Sequence, residues 1–430
     1  MKVLFVSNLF PDAGDPLRGQ VNATAMHHLA KLCPVRAMAL RPALPMRAGM
    51  VRALQPRPVD AVLGPVFVPV RYVPKVGGRF NPGLYARSLQ APLRQMRRTF
   101  NFDVVLCAWL YPDGAALTQL KDELGAPLVH IVQGSDVHEY IEMPARRPFI
   151  IEAAERADAV ITRSEALANI LRQAGIRQPR LRVIYNGVHT DQFKPGDRAA
   201  ARAEAGLPAD GKIILYVGDL APIKNPLVAV RAHGEMCRRA DSILAQAGGG
   251  AGEKGSRGER EQGRKGAGEN VALSPFLPFS PAPSPPLLVM IGTGALANEI
   301  NRVASSQGSA SRLLMVGSKT RPEVARQMQA ADVLCIPSDN EGVPNVMLEA
   351  FATGLPVVAT RVGGIPELLT HDFLGRLTPR GDSNAMADAL QAVLASAPDS
   401  KRISEHAQRY SWVDTAAAYC KLLEEVLRVR

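Results

Sequence analysis

The stretch that decides the fold is Asp332-Val-Leu-Cys-Ile-Pro-Ser-Asp-Asn-Glu341-Gly-Val-Pro-Asn-Val-Met-Leu-Glu349-Ala-Phe-Ala-Thr-Gly354-Leu-Pro-Val-Val-Ala-Thr360-Arg-Val-Gly-Gly-Ile-Pro-Glu367. Val333–Ile336 is a short apolar run that Pro337 ends, which reads as a buried strand. Ser338–Asn345 is a loop of turn formers, and Val346–Thr353 a short helix with Pro344 or Asn345 at its start and Gly354 behind it. Val357–Thr360 is the next strand, followed by a Gly363-Gly364 turn. A strand, loop, helix and strand in this order put the loop and the helix start at the carboxyl edge of a parallel sheet, where open α/β sheets bind ligands. Glu341 lies in the loop and Glu349 on the first turns of the helix, so both can face one ligand. The backbone N–H groups of Gly342, Val343, Asn345 and Val346 add free donors, and the helix dipole favours an anion beside them. A nucleotide sugar needs this combination: acceptors for sugar and ribose hydroxyls, donors for a diphosphate.

Two acids at this spacing also occur on ordinary units with no ligand. Here they come with Gly342, Pro344, Gly354-x-Pro356 and Gly363-Gly364-x-Pro-Glu367. With that punctuation the stretch resembles the donor-site signature of retaining glycosyltransferases of family four, which have the GT-B fold. The resemblance extends in weaker form over nearly the whole chain. It implies an α/β protein of two doubly wound, Rossmann-like domains facing across a cleft. Residues 1–190 would form the acceptor-side domain and 191–205 the linker. Residues 206–395 would bind the nucleotide sugar, and 396–430 would cross back to brace the first domain.

Bulk properties agree with a soluble two-domain protein: 430 residues, 47% hydrophobic and 21% charged. Cys33, Cys107, Cys237, Cys335 and Cys420 are scattered and odd in number, which argues for a reducing compartment and against a disulfide framework or zinc site. No apolar run is long enough to span a bilayer, and Val3–Val6 reads as a first strand, so a cytoplasmic protein is expected. The net charge of +11 is uneven, because the first 200 residues hold 26 of the 51 basic but only 16 of the 40 acidic residues. Arg87, Arg94, Arg97 and Arg98 cluster where Leu84, Leu89, Leu93 and Met96 keep helical spacing. Such a face suits peripheral contact with an anionic membrane, and equally a plain solvated helix surface. No nucleic-acid-binding motif accompanies it, so nucleic acid is not an expected partner.

In chain order, Lys2–Ser7 is a strand, Asn8–Gly19 a turn-rich loop, and a helix runs from about Asn22 to Leu32. The resemblance carries the acceptor-side and diphosphate-facing role of this loop to Gly19. Residues 41–82 are rich in proline and arginine and give little regular signal. Asp103–Cys107 and Pro127–Val132 are strands, followed by Trp109-Leu-Tyr-Pro-Asp-Gly114 and by Gly134-Ser-Asp136. Both loops look like those of a family-four branch that serves surface polysaccharides, so Gly134 and Asp136 take acceptor-side roles, Asp136 a catalytic one. The chain departs from that branch at Ala108 and Gln133, where some relatives have histidine. Asn186-Gly187 before a polar segment matches the family's hinge. In the second domain, Ile213–Val217 is a strand, and the loop after Gly218 carries Lys224, which would meet the diphosphate. Asp219 stands where relatives commonly have arginine. Residues 247–286 are low complexity and read as a disordered insertion. Gly292-Thr-Gly294 formally fits a dinucleotide fingerprint, but Arg312 stands where an acid should follow, so no nicotinamide cofactor is expected.

The resemblance thus implies a metal-independent enzyme without cofactor. It would move a sugar, with retention, from a nucleotide-diphosphate sugar to a glycan or lipid-linked acceptor in cell-surface polysaccharide synthesis, in the cytoplasm or on the inner face of the membrane. Glu341, Lys224 and Asp136 would act catalytically. Gly218, Lys224, Gly294, Glu341, Gly342, Val343, Pro344, Asn345 and Glu349 would bind donor. No Asp-x-Asp occurs in the chain, so the metal clamp of the other large transferase class is not expected. A nucleotide-sugar epimerase of the same fold and a non-catalytic nucleotide-sugar-binding protein remain as alternatives.

Overall fold

The computed structural model describes residues 1–43, 60–248 and 284–429, without the side chains of 244–248. Nearly all of the expected insertion, and Arg57-Pro58, lie outside the described residues.

Two separate sheets account for the strands. The first is seven-stranded in the order β3-β2-β1-β4-β5-β6-β7, and every pairing is parallel. Its strands are β1 Val3–Ser7, β2 Val35–Ala43, β3 Val66–Arg71, β4 Val104–Ala108, β5 Leu128–Ile131, β6 Ala159–Thr162 and β7 Leu181–Val183. The second sheet has the order β10-β9-β8-β11-β12-β13, again parallel throughout. It contains β8 Ile213–Val217, β9 Leu287–Ile291, β10 Leu313–Gly317, β11 Val333–Ile336, β12 Val357–Thr360 and β13 Gly375–Thr378. In each sheet the chain winds outward from one central strand in both directions. The reversal falls between β1 and β4 in one and between β8 and β11 in the other. Loops diverge there, leaving a crevice at the carboxyl edge.

Parallel strands covered on both faces must be apolar on both faces, and β1 shows it. Val3 and Phe5 pack with Met26, Leu29 and Tyr419, while Leu4 and Val6 pack with Tyr85, Leu89 and Leu117. Tyr419 belongs to the last helix, Trp412–Arg428, which leaves the second sheet and buries Tyr419, Leu422 and Leu423 beside Gln20–Leu29 in the first domain. Its start also touches the hinge segment: Val188 N–H donates to Tyr410 O at 2.7 Å, and a Cβ on Gly187 would lie 2.4 Å from Trp412 N.

Two expectations need correction. The stretch beginning at residue 41 is more regular than its composition indicates, since it contains the end of β2 and all of β3. Pro69 fits there because β3 is the sheet edge, where a missing N–H costs little. On the helix Asn81–Phe100, Arg87, Arg94 and Arg98 are exposed, but Arg97 is not part of that face. It donates to Phe102 O and Leu124 O and stacks 3.7 Å over the Phe102 ring. No described helix is long and apolar enough to cross a membrane.

Candidate functional site

The loop between β11 and the helix Asn345–Ala352 is shaped from behind by glycine. Gly363 has φ 50°, and a Cβ there would stand 1.7 Å from Glu341 O; Gly364 N–H donates to Gly342 O at 2.8 Å. Any side chain at these positions would push the loop out of place. Ser338 is held by Thr360, whose hydroxyl donates to its carbonyl. So fixed, Glu341 turns toward the loop that follows β8. Lys224 Nζ lies 2.7 Å from Glu341 Oε1, and Ser338 Oγ donates to the same oxygen at 2.8 Å. Among the described residues, the N–H groups of Gly342, Val343, Asn345 and Val346 have no protein acceptor. A helix start with free donors beside an ammonium is built for an anion.

Glu349 sits one turn into that helix, and its carboxylate accepts no hydrogen bond from a described residue. Burial pushes its pKa up to about 7, with the positive charge of Arg321 opposing. A low-dielectric acceptor without a donor is what ribose hydroxyls would complete. Glycines also shape the loops after β8 and β9, beside the β8–β11 crevice. Gly218 N–H donates to Ile291 O at 3.0 Å, and Cβ atoms on Gly292 and Gly294 would come 1.9 Å from Gly218 O and 2.5 Å from Leu220 O. Asn345 is committed elsewhere by its side chain: its Oδ1 accepts from Asn186 Nδ2 of the hinge at 2.9 Å.

On the opposite wall, the outcome for Asp136 is a correction. It is wholly buried and accepts N–H bonds from Leu110 at 3.0 Å, Gln133 at 3.1 Å and Gly134 at 2.8 Å. A buried carboxylate held by three backbone donors clamps two loops together, a positioning contact where a free catalytic acid was expected. Gly134, with φ 129°, gives its N–H to that clamp. Asp113 does the same for the first loop, accepting Asn8 N–H at 2.6 Å and Asn8 Nδ2 at 3.0 Å; burial pushes its pKa up to about 7. Gly19, with φ 59°, is required because a Cβ would lie 2.2 Å from the Leu9 carbonyl. It shapes the loop and has no side chain to offer a substrate.

Two residues at the cleft carried no expectation. His138 has its Nε2 buried without a partner; burial lowers its pKa, and the charge of Glu341 opposes that from the other domain. A lone histidine one turn beyond Gly134-Ser-Asp136 carries no periodic signal. Glu367 bridges the domains: it accepts Glu165 N–H at 2.8 Å, Ala166 N–H at 2.7 Å and Tyr185 OH at 2.8 Å.

The profile described as Glycosyltransferase Family 4 matches residues 35–192, and that described as Glycosyl transferases group 1 matches residues 282–396. The chain is 29% identical over 321 residues to the D-inositol 3-phosphate glycosyltransferase of Saccharomonospora viridis, a match covering 71% of this chain and 66% of that relative. It thus spans just under two thirds of the relative's length. Among solved structures, sucrose-phosphate synthase from Thermosynechococcus elongatus superposes with a TM-score of 0.73 at 19% identity, covering both chains fully. HepE from Anabaena in complex with UDP superposes with a TM-score of 0.69 at 18% identity, covering 99% of this chain and 100% of that one. These two likenesses establish the fold. With a family-four domain in its first half and a group 1 domain in its second, the chain belongs to the glycosyltransferases of the GT-B fold.

Proposed function

We propose that this chain is a retaining glycosyltransferase that moves a sugar from a UDP-sugar to a glycan or lipid-linked acceptor, on the cytoplasmic side of the membrane, in the assembly of a surface polysaccharide. The observation that carries this reading is the convergence of Lys224, Glu341, four unpaired backbone N–H groups and the unpartnered Glu349 on one crevice. The choice of UDP draws support from HepE, whose complex contains it.

In the proposed reaction the bond from the anomeric carbon to the diphosphate oxygen breaks, and its electron pair leaves with the diphosphate. The acceptor oxygen bonds the same face of the sugar, and its proton passes to the departing phosphate. Lys224 and the helix start stabilise the growing phosphate charge, which is electrostatic and positional catalysis. Glu341 exchanges its bond with Lys224 for the donor sugar's hydroxyls. Glu349 accepts from the ribose.

A thermal-shift series over UDP-, GDP- and ADP-sugars tests the donor, since a ligand at about 100 times its Kd adds roughly 2.7 kcal/mol. NMR of the product then reads the anomer. Stabilisation by none of them, or a product of inverted configuration, would overturn the reading; an epimerised free nucleotide sugar would turn it into an epimerase.

A further inference from the structure

The wall facing the donor site carries an aromatic group to which no role has been given. Trp109 follows β4 with φ 87° and ψ 112°, a conformation that bulky residues avoid. Such strain survives only where the surroundings enforce it. Here Asp136 grips the next N–H, that of Leu110, at 3.0 Å, and Gly114 N–H donates to Trp109 O at 2.9 Å. A buried carboxylate is thus spent on aiming one tryptophan.

What surrounds that tryptophan suits a ligand. Its ring lies 6.2 Å from that of Tyr140, and the Arg146 guanidinium lies 4.1 Å over the Tyr140 ring. No described acid pairs with Arg146, although Glu139 and Glu142 are on the same segment. Trp109 Nε1 and His138 Nε2 are both buried without a hydrogen-bond partner among the described residues. His138 also feels the charge of Glu341, so this wall stands across the cleft from the residue assigned to the donor sugar.

We propose that Trp109, Tyr140 and Arg146 form the acceptor subsite, and that its occupant is a saccharide bearing an acidic group, phosphate or carboxylate. This rests on the transferase reading above. The C–H face of a pyranose packs on an aromatic ring, and its hydroxyls give the indole N–H an acceptor. A guanidinium already ordered by stacking, with no counter-ion among the described residues, matches the planar geometry of a carboxylate or phosphate.

Saturation-transfer NMR on the full chain, with and without UDP, tests this with glucose, glucose 6-phosphate and glucuronic acid as probes. At equal concentration the acidic sugars should give at least threefold the signal of glucose, and comparing the two acids separates phosphate from carboxylate. R146Q should remove the preference for acids. W109A and Y140A should each remove most of the signal while the UDP-induced thermal shift stays at the parent value. W109F, which keeps a ring, should retain part of it and guards against a misfolded alanine variant. Equal signals for neutral and acidic sugars, or signals that survive both W109A and Y140A, would overturn the proposal. If UDP fails to stabilise the parent protein, the transferase reading falls, and the signals recorded without UDP still decide the subsite.

Discussion

Lys224 and Glu341, 117 positions apart in the chain, hold each other at 2.7 Å across the mouth of the donor crevice. Lys224 is a third exposed, so the pair contributes little to stability. On the proposed reading its consequence is functional: a donor diphosphate would compete with Glu341 for the ammonium. Lys224→Ala should therefore weaken UDP-sugar binding by about tenfold to a hundredfold, from the loss of a charged hydrogen bond worth roughly 1.5–3 kcal/mol. Glu341→Gln should leave UDP binding unchanged or tighter and reduce the preference for UDP-sugar over UDP. Calorimetric titration of both ligands reads this; equal affinities in parent and K224A would remove Lys224 from the site.

Glu349 links the site to pH. Its folded pKa of about 7 lies above the ordinary 4.5, so the fold favours the neutral form. Stability from this group is fully present below about pH 4.5, declines as pH rises through 7, and is lost above that, by up to about 3 kcal/mol. Glu349→Gln should then melt higher than the parent at pH 8, with the gain shrinking toward pH 5. The same variant should bind UDP about tenfold more weakly, because an amide oxygen is a poorer acceptor for ribose hydroxyls than a carboxylate. A lower melting temperature at pH 8 would show that Glu349 is satisfied in the free protein.

Glu367 ties the donor loop to the other domain. Its carboxylate caps the helix Glu165–Gln173, and the turn before it, Gly363-Gly364, packs on Glu341 and Gly342. Glu367→Ala leaves two helix-start N–H groups and Tyr185 OH without acceptors, which should cost about 1–3 kcal/mol in denaturant unfolding. Donor affinity should fall as well, since the loop loses its brace. If stability falls while UDP-sugar affinity holds, the cap is structural only and does not order the loop.

How much of this was legible in the chain depended on the range of the interaction. The unit from Val333 to Thr360 is local, with strand, loop and helix following one another, so its bounds and both glutamates could be placed. Lys224 was assigned to the diphosphate only through the family resemblance, and its contact with Glu341 was not foreseen, because no local pattern joins positions so far apart. Glu367 stood in a quoted motif, yet its role is a contact with backbone 201 and 202 residues away. Asp136 was misread for a related reason. A motif fixes where an acid stands, not whether its oxygens face the cleft or fold back on their own loop. Strand β3 was hidden by Pro69, which is unfavourable in a sheet interior and harmless at this edge.

Asp219 gives the last prediction. Its side chain is exposed, and its carbonyl accepts from Tyr216 OH at 2.8 Å. No described Arg or Lys pairs with Asp219. Nor is it remote from the donor. Burial first, then the charges of Cys335, Asp219 and Glu341, push the Tyr216 phenol up, so Asp219 and Glu341 act on one hydroxyl. An unpaired carboxylate about 8 Å from a phosphate charge costs roughly 0.5–2 kcal/mol for an effective dielectric between 80 and 20. Asp219→Asn should tighten UDP binding by about twofold to thirtyfold, and Asp219→Arg by more, since it adds an attraction as well as removing a repulsion. Because the residue is exposed, the gain should shrink as salt is raised toward 1 M, where charges are screened within about 3 Å. Titration of UDP against parent, D219N and D219R at low and high salt reads all of this. Weaker binding in both variants would mean that Asp219 holds the loop in its donor-binding shape, and that the phosphate contacts assigned to Lys224 depend on it.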